Sequence, residues 1–380
     1  MRITLPRADG TLEAYQVHPP PQWQMQGKLP RSRVAYAAAH VVADPLAGPA
    51  PAALDWDATL RFRRHLWSHG LRVADGMDTA QRNAGLEWDA TRELAARTAA
   101  AARDFGDPAE LVAVGVGTDH ARYADSLAQV THAYLEQLAA IRATGASAVL
   151  MGSRELAAIA RGPGDYHEVY AQVLSQSDRP VILHWLGEMF DPWLAGYWGA
   201  RDVWAATQSL LTLVRDNADR IDGIKVSLLD ANHEIALRTA LPAGVRLYTG
   251  DDFNYPSLIA TGSHALLGIF DAIAPAAATA LRALDDGDKL RYEEVLAPTV
   301  PLARKVFEAP TRDYKTGLVF LAWLAGYQDA FVMIGGAQSA RSLPHLAEVF
   351  RLADYAGLLP NPTVAISRMS TLLAVHGIGQ

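Results

Sequence analysis

Lysine is rare in this chain of 380 residues, and one lysine lies within an apolar segment. Only five of the 34 basic residues are lysines, and Lys225 stands in the segment Ile221-Asp-Gly-Ile-Lys-Val-Ser. If that segment is buried, desolvation lowers the pKa of the amine. A neutral amine attacks a carbonyl carbon and forms a Schiff base, which then accepts electrons from a breaking bond. The alternative is an ion pair between this lysine and a nearby carboxylate, at Asp222, Asp251 or Asp252, and the residues alone leave both possibilities open.

Histidines and aspartates stand at the ends of other apolar runs. His184 is a candidate acid/base catalyst, because imidazole titrates near neutral pH. Alternatively, it is a buried histidine bonded to a backbone carbonyl. Six further residues are candidates for binding the substrate, because carboxylates and imidazoles form hydrogen bonds with hydroxyl groups: His40, Asp78, His120, Asp251, Asp252 and Asp271. For the two histidines of this set, a polar strand end without a role in binding is the alternative. The pair after Gly250 could instead cap a helix that begins beyond Pro256, or orient Lys225.

The elements that must position these residues are short apolar runs separated by helical stretches. Eight such runs occur, at residues 34–42, 71–75, 111–117, 146–151, 181–185, 223–227, 245–249 and 265–270. Short buried strands that alternate with helices indicate βαβ units and a parallel sheet. Eight units over roughly 240 residues predict an α/β fold, a closed (β/α)8 TIM barrel, whose usual size is about 250 residues. In this fold the active site lies at the carboxyl ends of the strands, where the candidate residues stand.

A doubly wound open sheet is the competing fold. It would place a glycine-rich phosphate-binding loop after its first strand. The nearest sequence, Val114-Gly-Val-Gly-Thr-Asp, follows the third run and lacks the last glycine of the G-x-G-x-x-G pattern. The barrel is therefore favoured.

The chain outside the barrel divides into two parts. Residues 1–33 are polar and rich in proline, which predicts an irregular N-terminal arm. Residues 34–275 contain the eight runs and form the predicted barrel. Residues 276–380 have helical spacing of apolar residues, which predicts a C-terminal helical extension packed on the barrel.

Composition narrows the classes of function. Half of the residues are hydrophobic and the net charge is −7, so the chain can form a large core and carries no basic excess for nucleic acid. The absence of cysteine excludes thiol catalysis, disulfides and thiolate metal sites. The amino terminus lacks the apolar stretch of a secretory signal, and no apolar run reaches the length of a membrane span. We therefore expect a cytoplasmic protein that binds neither nucleic acid nor membrane.

Five short motifs in register resemble those of one family. They are Val114-Gly-Val-Gly, Val181-Ile-Leu-His, Gly223-Ile-Lys-Val, Leu247-Tyr-Thr-Gly-Asp-Asp and Asp271-Ala-Ile-Ala-Pro. Their order and spacing are similar to those of the dihydrodipicolinate synthase and N-acetylneuraminate lyase superfamily of class I aldolases. The resemblance implies that Lys225 is the imine-forming lysine. It also implies a homodimer or homotetramer.

Four departures from the family pattern affect the substrate pocket. His184 replaces the family's fifth-strand tyrosine, and Met189 replaces the arginine that holds a carboxylate in the pyruvate-using members. Gly76-Met-Asp-Thr-Ala-Gln replaces the second-strand G-T-T-G-E, and Gly152-Ser-Arg-Glu replaces the fourth-strand P-x-Y-Y. The resemblance therefore implies a divergent branch that keeps the lysine and binds a substrate other than pyruvate.

Three functions are compatible with these residues. The favoured one is a Schiff-base-forming aldolase or lyase that acts without a cofactor on a small carbonyl compound, a keto acid or a sugar-derived molecule. The second is a metal-dependent isomerase or hydrolase with His40, His120 and His184 among its ligands, although H-x-H on the first strand and H-E-x-x-H are both missing. The third is a barrel that has lost catalysis and binds a ligand.

Overall fold

The chain forms one antiparallel hairpin and eight parallel strands. The computed structural model describes residues 1–47 and 53–378. The hairpin consists of β1 (Arg2–Pro6) and β2 (Leu12–Gln16). The parallel strands are β3 (Ala35–Ala38), β4 (Arg72–Asp75), β5 (Val112–Val116), β6 (Ser147–Leu150), β7 (Val181–Leu186), β8 (Ile221–Ser227), β9 (Arg246–Thr249) and β10 (His264–Leu267).

The eight parallel strands close into a barrel. Each strand from β3 to β9 pairs with the next strand in the sequence, and β10 pairs with β3. Helices connect the strands, so the predicted (β/α)8 TIM barrel is confirmed. The apolar runs in the sequence are continuous because both faces of a parallel strand are covered, one by the barrel interior and the other by helices.

Nine helices lie between the barrel strands in the described part of the chain. They are α1 (Trp56–Ser68), α2 (Trp88–Ala102), α3 (Pro108–Leu111), α4 (Leu127–Thr144), α5 (Arg154–Ile159), α6 (Pro163–Ser175), α7 (Val203–Asp216), α8 (Ala231–Ala240) and α9 (Tyr255–Ala260). Aspartate caps begin several of them: Asp55, Asp202 and Asp230 accept hydrogen bonds from backbone N–H groups in the first turns of α1, α7 and α8. These bonds satisfy donors that the helix itself leaves free.

Seven helices follow β10. They are α10 (Ile269–Ala272), α11 (Ala274–Asp285), α12 (Lys289–Leu296), α13 (Thr299–Val306), α14 (Tyr314–Leu324), α15 (Leu343–Tyr355) and α16 (Pro362–Val375). Short 3-10 helices occur at Asp78–Ala80, Pro192–Leu194, Tyr197–Gly199, Ala218–Arg220, Thr311–Asp313 and Ile334–Ala340. Every residue of α14 is buried, which is the pattern of a helix surrounded by other elements. This helix contacts α10, α13, α15 and α16.

The N-terminal arm differs from the expected irregular structure, because its first part is the β1–β2 hairpin. Ile3 and Leu5 alternate with exposed residues and are buried, and β1 contacts α15. Residues 17–34 form neither a helix nor a strand. The Trp23 indole donates a hydrogen bond of 2.8 Å to the Gly357 carbonyl. The prediction of an irregular arm relied on the prolines at positions 19–21, and it overlooked the alternation of apolar and polar residues in β1.

Within the described ranges, none of the helices combines the length and the apolar character that crossing a membrane requires.

Candidate active site

Lys225 lies near the carboxyl end of β8 and faces the barrel interior. Its neighbours Ile224 and Val226 belong to the core between strands and helices, and successive residues of a strand point to opposite faces. Lys225 pairs in register with His184 on β7 and with Tyr248 on β9. Gly250 packs directly against the side chain of Lys225: a Cβ atom at position 250 would lie 3.0 Å from the Cε atom of the lysine.

The amine of Lys225 is buried without an ion pair. The residue is 7% exposed, and within residues 1–47 and 53–378 it forms no hydrogen bond and has no carboxylate oxygen within 4.0 Å. Burial lowers its pKa to about 8, against the charges of Asp252 and Asp78, which raise it. A substantial fraction of the amine is therefore neutral at slightly alkaline pH.

Two of the three carboxylates considered as ion-pair partners of this lysine are engaged elsewhere. Asp222 pairs with Arg246 and accepts a hydrogen bond from the Tyr248 hydroxyl. Asp251 accepts hydrogen bonds of 2.9 and 3.0 Å from the backbone N–H groups of Phe253 and Asn254. Asp251 thus orders the turn before α9, as in the alternative interpretation of its motif.

Of the neighbouring residues Asp251 and Asp252, it is Asp252 whose charge raises the pKa of Lys225. One of its oxygens accepts a hydrogen bond of 2.8 Å from the Ile269 N–H, which fixes the carboxyl group between β9 and α10. Burial raises its pKa to about 7, although the Lys225 charge opposes this change. Asp252 can therefore hold a proton near the amine at neutral pH.

His184 is buried beside Lys225 as a neutral imidazole. Its Nε2 atom lies 3.2 Å from the Ser227 hydroxyl, and its Nδ1 atom has no hydrogen-bond partner among the residues that the structure describes. Burial, and then the charge of Lys225, lower its pKa well below the usual value. This differs from the expected titration near neutral pH, because the ring is removed from water and lies next to a cation.

The helical extension supplies side chains at the mouth of the barrel. The Tyr314 hydroxyl and the Thr79 hydroxyl are 2.8 Å apart, and the Tyr314 ring stacks on Phe307 at 4.4 Å. The Nζ atom of Lys315 lies 3.1 Å from Oδ2 of Asp78. Sequence reasoning missed Tyr314, Lys315 and Thr79; the scarcity of lysine was the one signal that could have indicated Lys315.

A cavity of about 290 Å³ opens at this mouth. Its lining combines residues of the barrel with residues of the extension and includes Asp78, Arg154, His184, Trp193, Arg312 and Lys315. Lys225 lies beside this cavity as the register partner of His184. The lining includes His184 but not Lys225, so the cavity reaches the strand beside the lysine.

His40, Asp271 and His120 do not line this cavity. The His40 ring lies 2.8 Å from Asp271 and 3.0 Å from the Gln328 side chain, so its polar atoms and those of Asp271 are used in a buried network. His120 contacts Glu136 and Gln137 beside α4 and borders a separate surface depression.

The histidine set considered for a metal site is therefore not assembled. His40, His120 and His184 have different partners. In the part of the chain that the structure covers, no three His, Asp or Glu side chains are grouped as metal ligands.

The family model with the description "Protein of unknown function (DUF993)" matches residues 3–378. The chain belongs to this family. None of the curated proteins matches the DUF993 chain.

Solved structures similar to the DUF993 chain share its fold. The dihydrodipicolinate synthase of Aquifex aeolicus has a TM-score of 0.67 at 13% identity, with 86% of this chain and 98% of that chain covered. YagE, a prophage protein of the dihydrodipicolinic acid synthase family from E. coli K12, solved in complex with pyruvate, has a TM-score of 0.68 at 14% identity, with 86% and 99% covered. The dihydrodipicolinate synthase of Thermotoga maritima has a TM-score of 0.66 at 14% identity, with 87% of this chain and 100% of that chain covered. The expected resemblance to the dihydrodipicolinate synthase family is thus confirmed for the fold. The identities of 13% and 14% agree with the expected divergent branch.

Proposed function

We propose that the DUF993 chain is a Schiff-base-forming lyase that acts on a small carbonyl compound, with Lys225 as the nucleophile. The observation that carries this proposal is the buried amine without an ion pair, facing the barrel interior beside the cavity at the carboxyl ends of the strands. A lysine held in this way is costly for folding. A lysine in this position has a physical explanation if the neutral amine is the reactive group.

The proposed reaction uses the amine as an electron sink. The nitrogen bonds to the carbonyl carbon while the carbonyl oxygen takes a proton, and loss of water leaves an iminium ion. The substrate hydroxyl beyond the adjacent carbon–carbon bond then gives its proton to Asp252, and its carbon leaves as an aldehyde or ketone as that bond breaks. The electron pair of the broken bond moves toward the iminium to form an enamine. Protonation of the enamine carbon followed by hydrolysis of the imine releases the second carbonyl product and the free amine. Asp252 is the proposed proton carrier, because burial keeps its carboxyl group partly protonated near neutral pH.

His184 is proposed to act as a neutral hydrogen-bonding group. A ring with a strongly lowered pKa does not serve as an imidazolium acid at neutral pH. Its unpartnered Nδ1 atom can instead bind an oxygen of the substrate or pass a proton between two neutral tautomers. Asp78 lines the same cavity and is proposed to contact the substrate.

The similar structures support the class of reaction but not the substrate. One of them, YagE, was solved with pyruvate. The position of the family's carboxylate-binding arginine is Met189 here, so we propose a keto acid bound by other groups or a sugar-derived carbonyl compound. By the same resemblance we propose a cytoplasmic homo-oligomer.

Trapping of the imine tests the proposal. The full chain is incubated with a panel of 2-keto acids, aldehydes and keto sugars, reduced with borohydride, digested and analysed by mass spectrometry. We expect an adduct on the peptide that contains Lys225 and none in the Lys225→Arg variant. Lys289→Arg, which changes an exposed lysine on α12, is the matched control and should retain the adduct. An adduct confined to other lysines, or an active Lys225→Arg variant, would exclude this function.

A further inference from the structure

Two of the five lysines are buried, and both lie at the mouth of the barrel. Lys225 and Lys315 are each 7% exposed. The remaining lysines are exposed or half-buried: Lys28, Lys289 and Lys305. Lys315 is the second residue of α14 and belongs to the extension, not to the barrel. An ammonium group is costly to bury unless it is paired, so the position of Lys315 requires an explanation.

The contacts of Lys315 hold its charge against Asp78. The Nζ atom lies 3.1 Å from Oδ2 of Asp78 and donates a hydrogen bond of 3.0 Å to the Arg312 carbonyl. It also lies 4.8 Å from the centre of the Tyr314 ring, in a cation–π arrangement. Among the described residues, Lys315 is the one cation within 4.0 Å of the Asp78 carboxylate, and Oδ2 of Asp78 forms no hydrogen bond there.

We propose that Lys315 is a positioning residue that screens the Asp78 carboxylate and thereby keeps the Lys225 amine in its reactive, uncharged form. The inference rests on the proposed function of Lys225. It assigns to the C-terminal extension a direct electrostatic influence on the barrel's nucleophile. The ion pair of Lys315 with Asp78 and their shared position on the cavity wall carry it.

The groups around Lys225 explain why this screen matters. His184 on β7 is neutral, and the Tyr248 hydroxyl on β9 turns away to Asp222. Tyr314 on α14 is neutral because burial raises its pKa. The two carboxylates that favour the ammonium form of Lys225 are Asp252 and Asp78.

Only one of these two carboxylates has a cationic side chain within salt-bridge distance in the described structure. Asp252 is held by a backbone N–H group, whereas Asp78 is paired with Lys315. Loss of Lys315 would leave the charge of Asp78 to act fully on the amine. It would also remove one positive charge from the mouth, and both changes favour the ammonium form of Lys225.

The experiment measures the reactivity of Lys225 against pH. Formaldehyde with a borane reductant methylates neutral amines, and mass spectrometry of the digested full chain gives the rate at Lys225. In Lys315→Met we expect the midpoint of the rate profile to rise by roughly one pH unit, the effect of one neighbouring charge. Below the midpoint this corresponds to about a tenfold slower reaction. Lys315→Arg keeps the charge and should restore the wild-type midpoint, and the exposed control Lys289→Met should leave it unchanged.

A charge-neutral double variant separates screening from a structural role. Replacing Asp78 by asparagine in the Lys315→Met background should return the midpoint toward that of the wild type, because both charges are then absent. Asp78→Asn alone should lower the midpoint, which keeps the test informative if Lys315→Met does not fold. Equal midpoints in the folded wild type, Lys315→Met and Asp78→Asn would overturn the inference. Formaldehyde reacts with any neutral amine, so this result is independent of whether a substrate carbonyl is trapped.

Discussion

Burial controls the charge of individual residues in and around the barrel. Desolvation lowers the pKa of Lys225 and raises that of Asp252, so both groups carry less charge than they would in water. The same effect reaches Glu234 on α8, whose oxygens accept hydrogen bonds from Thr249 and Ser263. Buried ionisable groups of this kind make the stability of the fold depend on pH.

Glu234 provides a test of this dependence. Burial raises its pKa from 4.5 to about 7, so between these values the folded chain keeps a proton that the unfolded chain has released. The free energy of unfolding should therefore fall as the pH rises through this window, by roughly 3 kcal/mol for this group. Urea unfolding at both ends of the window should show a smaller decrease in Glu234→Gln than in the wild type.

The matched control for this prediction is Glu293→Gln, which changes an exposed glutamate on α12. It should keep the pH dependence of the wild type. An identical decrease in Glu234→Gln and the wild type would show that Glu234 is ionised throughout the window.

The sequence predicts the barrel residues of the site better than those of the extension. The buried position of Lys225 could be predicted because this lysine stands inside an apolar run. Thr79 and Tyr314 lie 235 residues apart and meet through a hydrogen bond. No local pattern indicates such a contact, because it depends on how the extension packs across the barrel. The hydrogen-bond network of His40 and Asp271 could not be predicted for the same reason. Its third member is the Gln328 side chain, which follows α14 in the sequence and contacts His40.

At the scale of elements, α14 links the extension to the end of the barrel that carries the candidate active site. Its first residue, Tyr314, bonds to Thr79 in the segment after β4, and its second residue pairs with Asp78 in the same segment. The strands were predictable because each buried parallel strand is one apolar run. The direction in which α14 crosses the barrel could not be predicted, because a helix buried on all sides has no amphipathic pattern that shows its orientation.

The Tyr314–Thr79 contact should contribute measurably to this link. Tyr314→Phe and Thr79→Val each remove one partner of a buried hydrogen bond, and each should lower the free energy of unfolding by about 1–2 kcal/mol. The double variant should lose less than the sum of the two, by about 1 kcal/mol, because neither hydroxyl group is then left buried without a partner. Urea unfolding of the four proteins measures this coupling. Strict additivity would mean that the two hydroxyl groups do not interact.

At the scale of the whole molecule, the two ends of the chain pack against each other on the barrel. The β1–β2 hairpin contacts α15, and Asp354 on that helix accepts a hydrogen bond of 2.8 Å from Tyr15. Because α15 contacts α14, the arm stabilises the extension that carries Lys315. The hairpin therefore supports the site through the extension, and none of its own residues lines the cavity.

The two faces of the hairpin provide the final test. Leu5 is 0% exposed and Leu12, in the same hairpin, is 54% exposed. Leu5→Ala should lower the free energy of unfolding by about 2–5 kcal/mol, because it leaves a cavity in the core, whereas Leu12→Ala should change it by less than about 0.5 kcal/mol. In both folded variants the rate of methylation at Lys225 should stay at the wild-type value, since neither residue contacts the mouth. Equal losses of stability would show that the hairpin does not dock on α15, and an altered rate at Lys225 would place the arm in direct control of the site.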